Sequence, residues 1–171
     1  MTRKIEDLTP QEILALAIRI EQANALRLRN FAFAFQNHDP EISKRFEALA
    51  AEEDQHENWL QTRFKNLFKK PLPPVDDLDW GEMADAIEWD DSEYLVFDNL
   101  TADHIYHLAM KAEGRAMAFY QRAQKAAKDK RLAKLFGELA EMEKNHTGWL
   151  AEKIEERPLG PVRRVLGLLR P

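Results

Sequence analysis

The chain has 171 residues, of which 44% are hydrophobic, and this is enough for one domain with a sizeable core. Its formal net charge is −5 with acids and bases mixed along the chain, which excludes a basic face for a phosphate backbone, so nucleic acid is not an expected partner. The absence of cysteine excludes disulfides, iron–sulfur clusters and thiol catalysis. Any metal must therefore be held by Glu, Asp or His.

The composition also favours an all-α fold in a cytoplasmic protein. Only six glycines occur, while residues that favour helices, such as Ala, Leu, Glu and Lys, are abundant. The N-terminal segment lacks the apolar stretch of a secretory signal, and no run approaches the roughly 20 apolar residues of a membrane span.

Start and stop signals predict four long helices. Thr9 can cap the first helix, Pro10 suits its first turn and Glu12 completes a capping box. The pair Asp39-Pro40 repeats the signal for the second helix. The predicted helices run from Thr9 to about Gln36, from Asp39 to about Phe68, from near Thr101 to near Lys128, and from about Lys130, capped by Asp129, to Glu156.

The connection between the second and third helices, roughly residues 71–100, is long and acidic. Neighbouring antiparallel helices need only a few linking residues, so this length predicts a crossover that returns along the bundle. We expect residues 1–156 to form the bundle and residues 157–171 to form a basic, apolar tail. That tail could dock on a membrane surface, in a partner's groove or on a compartment shell, or it could pack as a short helix on its own bundle or dimer mate.

An internal repeat divides the chain into two helix pairs. Residues Leu49–Leu60 and Leu139–Leu150, offset by 90, share Leu, Ala, Glu, His, Trp and Leu in the same register. The first and third helices also correspond, since Ala17–Glu21 is similar to Ala109–Glu113 at an offset of 92.

Each predicted helix directs an acid toward the core. In an α-helix the neighbours of a residue on its own face lie three, four and seven positions away, and at those positions the neighbours of four glutamates are mainly apolar. On the second and fourth helices the acid begins a Glu-x-x-His pair. The six inward residues are Glu21, Glu53, His56, Glu113, Glu143 and His146.

Four converging buried carboxylates require positive charge, because an unpaired buried carboxylate costs several kcal/mol or more. Two divalent metals would balance their charge, with two neutral imidazoles completing the ligand set. Di-iron and di-manganese carboxylate bundles use this arrangement. One Glu-x-x-His occurs by chance in many charged helices, but two in one register, each preceded by a helix bearing a further acid, favour a metal site.

At these residues the chain resembles the rubrerythrin branch of the ferritin-like superfamily, over residues 9 to about 156. The likeness includes Leu14–Ile18 before Glu21, Ala50–Glu53, and Phe119-Tyr120. The ferritin-like domains of membrane-bound bacterial iron exporters have a similar start to the first helix. The resemblance implies a ferritin-like four-helix bundle in which the six inward residues bind two iron ions, with Glu53 and Glu143 as bridges.

The chain departs from that family pattern in three ways. Without cysteine it has no rubredoxin module, so an external electron donor is expected. Some rubrerythrins carry a second acid three residues from the ligand of the third helix, where this chain has Met110 and Ala116 around Glu113. No membrane domain follows the fourth helix, so transport is not expected.

The expected function is that of a non-haem di-iron oxidoreductase. It would oxidise Fe(II) or reduce H2O2 or O2, in iron handling or oxidative-stress defence, as a homo-oligomer, most simply a dimer. Iron storage without turnover, a purely structural metal and a di-manganese site stay open, because these ligand types separate Mn from Fe poorly. Tyr106 and Tyr120, on the face of Glu113, either assist at the metals or simply fill the core.

Overall fold

A computed structural model of the chain describes residues 3–37, 39–75 and 102–156. A 3-10 turn at Ile5–Asp7 precedes four helices, namely α1 (Pro10–Phe35), α2 (Pro40–Phe68), α3 (Ala102–Ala126) and α4 (Lys130–Glu156). The predicted all-α bundle is confirmed. The largest difference from the predicted bounds is at the end of α3, at Ala126 rather than Lys128.

Polar side chains cap the helices at the predicted positions. Oγ1 of Thr9 accepts a bond from the N–H of Glu12 at 3.3 Å, and Oε2 of Glu12 accepts from the N–H of Thr9 at 2.7 Å. Asp39 and Asp129 each accept a backbone N–H bond in the first turn of α2 and α4, at 3.2 and 2.7 Å. These bonds satisfy amide groups that a helix start leaves without a partner.

The directions of the helices explain the long connection. Helix α1 packs against α2 and α3 against α4, and the short links make each pair antiparallel. Between α1 and α3, Glu21 contacts Tyr120 while the rings of Phe35 and Tyr106 are 6.3 Å apart, so these two helices are also antiparallel. Helices α2 and α3 therefore run in the same direction, so the end of α2 and the start of α3 lie at opposite ends of the bundle, which is the arrangement that the predicted crossover requires.

The core consists of two apolar clusters that the inward glutamates and histidines separate. One cluster includes Leu16, Phe119 and Phe136, and the other includes Phe31 and Phe46. On every helix the predicted inward acid lies between residues of the first cluster and residues of the second. The polar groups thus occupy the middle of the bundle, closed off by apolar layers at both ends.

One predicted face differs in detail. Met110 and Met117 lie three and four residues from Glu113 and so share its helical face, yet both are only partly buried, whereas Ala112 and Ala116 are buried. Helix α3 packs against both α1 and α4. Small side chains permit that close approach, which explains why alanines rather than methionines occupy the most buried positions.

None of the helices in the described ranges has the combination of length and hydropathy that a membrane span requires. Most of the crossover, residues 76–101, and the tail, residues 157–171, lie outside the described residues, as does the predicted docking role of the tail. The predicted division into bundle and tail stays a prediction.

Candidate metal centre

The structure brings all six predicted inward residues together in the middle of the bundle. None is more than 9% exposed, and Glu21, Glu53 and Glu143 are completely buried. They form two groups in which one ligand atom per residue lies within 4.8 Å of the others. The groups are Glu21, Glu53, His56 and Glu143, and Glu53, Glu113, Glu143 and His146. The two glutamates common to both groups are those predicted as bridges.

The first group is arranged around His56. Nδ1 of this ring is 3.3 Å from Oε2 of Glu21, 3.3 Å from Oε2 of Glu53 and 3.8 Å from Oε1 of Glu143. One imidazole nitrogen thus faces three carboxylates that come from three helices.

The second group repeats this arrangement around His146. Its Nδ1 is 3.0 Å from Oε1 of Glu53, 3.5 Å from Oε2 of Glu113 and 3.6 Å from Oε2 of Glu143. The rings of His56 and His146 are nearly parallel, with centroids 5.9 Å apart. The centre therefore has two similar halves, as the sequence repeat requires.

The ligand atoms fit a pair of divalent cations. Both carboxylate oxygens of Glu53 and of Glu143, Oε2 of Glu113 and Nδ1 of His146 are buried without an acceptable hydrogen bond. Buried polar atoms normally have a partner, because leaving them unpaired costs free energy. The ion pairs of the four glutamates with His56 and His146 bring at most two positive charges to four carboxylates. Metal coordination would satisfy these atoms and supply the missing positive charge.

Burial and mutual repulsion shift the proton affinities of the cluster. Burial raises the pKa of Glu21 and of Glu143, and neighbouring carboxylates raise them further. Burial also acts to raise the pKa of Glu53, but the nearby carboxyl group of Glu21 and the nearby imidazoles of His146 and His56 outweigh burial and lower that pKa.

The imidazoles respond in the opposite way to the same charges. Burial opposes protonation, yet the nearby carboxylates of Glu21 and Glu53 raise the pKa of His56 to about 10. Carboxylates raise the pKa of His146 in the same way. The metal-free protein therefore holds protons at this centre, and metal binding must release them.

Both predicted tyrosines are buried, but they have different surroundings. The hydroxyl of Tyr120 donates a hydrogen bond to Oε1 of Glu21, and burial together with nearby carboxylates raises its pKa, which keeps the donor proton in place. The ring of Tyr106 packs with Phe35, Phe46 and Trp149. An assisting role at the metals stays a prediction for both.

Sequence reasoning missed Glu52 as a partner of the centre. Its Oε2 lies 3.1 Å from Nε2 of His146, the ring nitrogen opposite the one that faces the carboxylates. A signal was present, because the repeat breaks there and pairs Glu52 with Met142 at the offset of 90.

A four-helix bundle that encloses two Glu-x-x-His pairs and two further glutamates defines a ferritin-like protein with a buried carboxylate and histidine cluster able to hold metal ions. The family model of rubrerythrin matches residues 12–154. The chain belongs to the rubrerythrin family.

Two solved structures share the fold. A conserved protein from Magnetospirillum magnetotacticum MS-1, described as uncharacterized, is 24% identical, with a TM-score of 0.72 over 90% of this chain and 98% of that chain. A hypothetical protein from Pyrococcus furiosus is 23% identical, with a TM-score of 0.60 over 87% of this chain and 90% of that one. No curated protein matches significantly.

Proposed function

We propose that this protein is a non-haem di-iron oxidoreductase that oxidises Fe(II) or reduces H2O2 or O2, in iron handling or oxidative-stress defence. The observation that carries the proposal is the set of buried, unpaired carboxylate oxygens that converge from the helices on two imidazoles. Membership of the rubrerythrin family supports iron as the metal.

The six inward residues would hold two iron ions, one in each group, and Glu53 and Glu143 would bridge them because both belong to both groups. Anionic oxygen ligands stabilise Fe(III) over Fe(II), so this ligand set favours oxidation. When bound, the iron pair supplies two electrons, which with two protons reduce one H2O2 to two H2O.

The rest of the chain controls access and protons. The apolar clusters on either side of the six inward residues restrict the access of water. The hydroxyl of Tyr120 keeps its proton and donates it in a hydrogen bond to the carboxylate of Glu21. The chain has no cysteine to hold a redox module of its own. Repeated turnover with peroxide therefore requires an external electron donor.

The direct test is rapid mixing of the Fe(II)-loaded protein with H2O2 or with O2, followed by absorbance. The double variant Glu53→Ala, His146→Ala should oxidise bound iron more slowly by about 100-fold or more, which is the loss of rate expected when essential metal ligands are removed. The matched control is Glu47→Ala, His107→Ala, which removes the same residue types from exposed positions. Equal rates in all three proteins would rule the proposal out.

Two further measurements separate this activity from the alternatives. Metal analysis of protein purified without added metal should find about two iron ions per chain. If it finds manganese in place of iron, the hypothesis of a di-manganese site is favoured. Light scattering should find a small oligomer such as a dimer, whereas a large cage that accumulates many irons per chain would favour storage.

A further inference from the structure

The two imidazoles of the metal centre differ at their outer nitrogens. Nε2 of His146 lies 3.1 Å from Oε2 of Glu52. Across residues 3–37, 39–75 and 102–156, Nε2 of His56 has no side-chain hydrogen-bond partner. The two histidines therefore have similar partners at Nδ1 but different surroundings at Nε2.

The contact with Glu52 determines which nitrogen of His146 carries the proton. A carboxylate only accepts hydrogen bonds, so Nε2 must be the donor. A neutral ring then presents the lone pair of Nδ1 to the glutamates that surround it. Such a carboxylate behind a metal-ligating histidine fixes the ring orientation and strengthens the ligand.

The sequence repeat shows that the difference is built into the chain. Met142 occupies the position equivalent to Glu52 at the offset of 90. A thioether is only a weak acceptor, and Met142 is 37% exposed. At this position of α4 there is therefore no carboxylate equivalent to that of Glu52 to orient His56.

We propose that Glu52 is a positioning residue that makes the metal position beside His146 the tighter of the two, so that it fills first. The inference rests on the proposed two-metal function. Because Glu52 is 44% exposed at its side chain, its replacement should leave the core intact.

Titration of the metal-free protein with Co2+, followed by visible absorption and calorimetry, tests the proposal without turnover. The wild-type protein should bind two ions in two resolved steps. Glu52→Met should weaken the tighter step by about 10- to 100-fold and leave the weaker one unchanged. Glu52→Gln, which keeps an oxygen acceptor, should retain most of the affinity.

Two more variants complete the test. Glu47→Met makes the same substitution at an exposed position of α2 and should bind Co2+ as the wild type does. Met142→Glu should tighten the weaker step, because it adds a carboxylate at the equivalent position.

Unchanged binding in Glu52→Met, or a Glu52→Gln protein as weak as Glu52→Met, would overturn the positioning role. A wild-type protein that binds no Co2+ would instead contradict the proposed metal centre itself.

Discussion

The hydroxyl of Tyr120 on α3 donates a hydrogen bond to the carboxylate of Glu21 on α1, across 99 residues of sequence. At the repeat offset of 92, the residue of α1 equivalent to Tyr120 is Leu28, which cannot donate. Glu21 and Glu113 each belong to only one of the two ligand groups. Glu21 receives a hydrogen bond from a tyrosine, whereas the repeat places no equivalent tyrosine beside Glu113.

Tyr120→Phe should destabilise the metal-free protein by about 1–3 kcal/mol, because it leaves a buried carboxyl oxygen without its donor. Denaturant unfolding measures the change. A double-mutant cycle with Glu21→Gln should give a coupling free energy of about 0.5–3 kcal/mol, and additive effects would show that the two groups do not interact.

Glu143→Gln should stabilise the metal-free protein and weaken metal binding. Burial raises the pKa of Glu143, so the wild-type protein loses stability as pH rises above the ordinary value of 4.5, while the neutral amide does not. The advantage of the variant should therefore be larger near pH 8 than near pH 5, at about 1–4 kcal/mol.

Denaturant unfolding of the wild-type and Glu143→Gln proteins without metal, at several pH values, measures this difference in stability. Added metal should reverse the order, because a ligand that binds only the folded state stabilises it by an amount that increases with the logarithm of its affinity. A variant less stable than the wild type at every pH would contradict the prediction.

Metal stoichiometry should depend on whether a glutamate belongs to one group or to both. Glu113→Ala affects only the group of His146 and should leave about one bound ion per chain, at the position beside His56. Glu53→Ala affects both groups and should leave fewer. Elemental analysis after dialysis distinguishes the two variants, and equal loss would argue against a bridging role for Glu53.

Acid should weaken the start of α1 through Glu12. The hydrogen bond from Arg3, at 2.9 Å, is the main reason that the pKa of Glu12 falls from 4.5 to about 2. A lowered folded-state pKa gives stability that is present above pH 4.5 and is lost as pH falls toward 2.

Arg3→Ala should remove part of that acid dependence, by no more than about 1 kcal/mol since the pair is partly exposed. Unfolding at a series of acidic pH values measures it. Lys44→Ala is the control, because it removes a cation from an ion pair whose side chains are 74% and 83% exposed. It should change the acid dependence of stability little. Identical acid profiles for Arg3→Ala and the wild type would contradict the prediction.

Gly148→Ala should stabilise the protein by about 1 kcal/mol, because Gly148 lies within α4 and an added Cβ meets nothing within 4 Å. Thermal unfolding measures the gain. Gly137→Ala is the comparison, since its Cβ would lie 2.5 Å from Nε2 of Gln124 and that flexible side chain must move. An equal gain at both positions would show that this close approach has no cost.

Local patterns were sufficient for the helices and for the inward set. Caps such as Thr9 and Asp39 act within one turn, and the 3.6-residue period alone determines that Glu53 and His56 share a face. The repeat showed that this face recurs on α4. The resemblance to rubrerythrins added the expectation that Glu53 and Glu143 bridge, and the geometry places both in each group.

Spacing within single helices was enough to predict the four helices, the face that each one buries and the six inward residues. The contacts of Tyr120 with Glu21 and of Glu52 with His146 could not be predicted from that spacing. Such contacts depend on the rotation and offset of one helix against another. Packing across the whole bundle sets those quantities, and no local period encodes them.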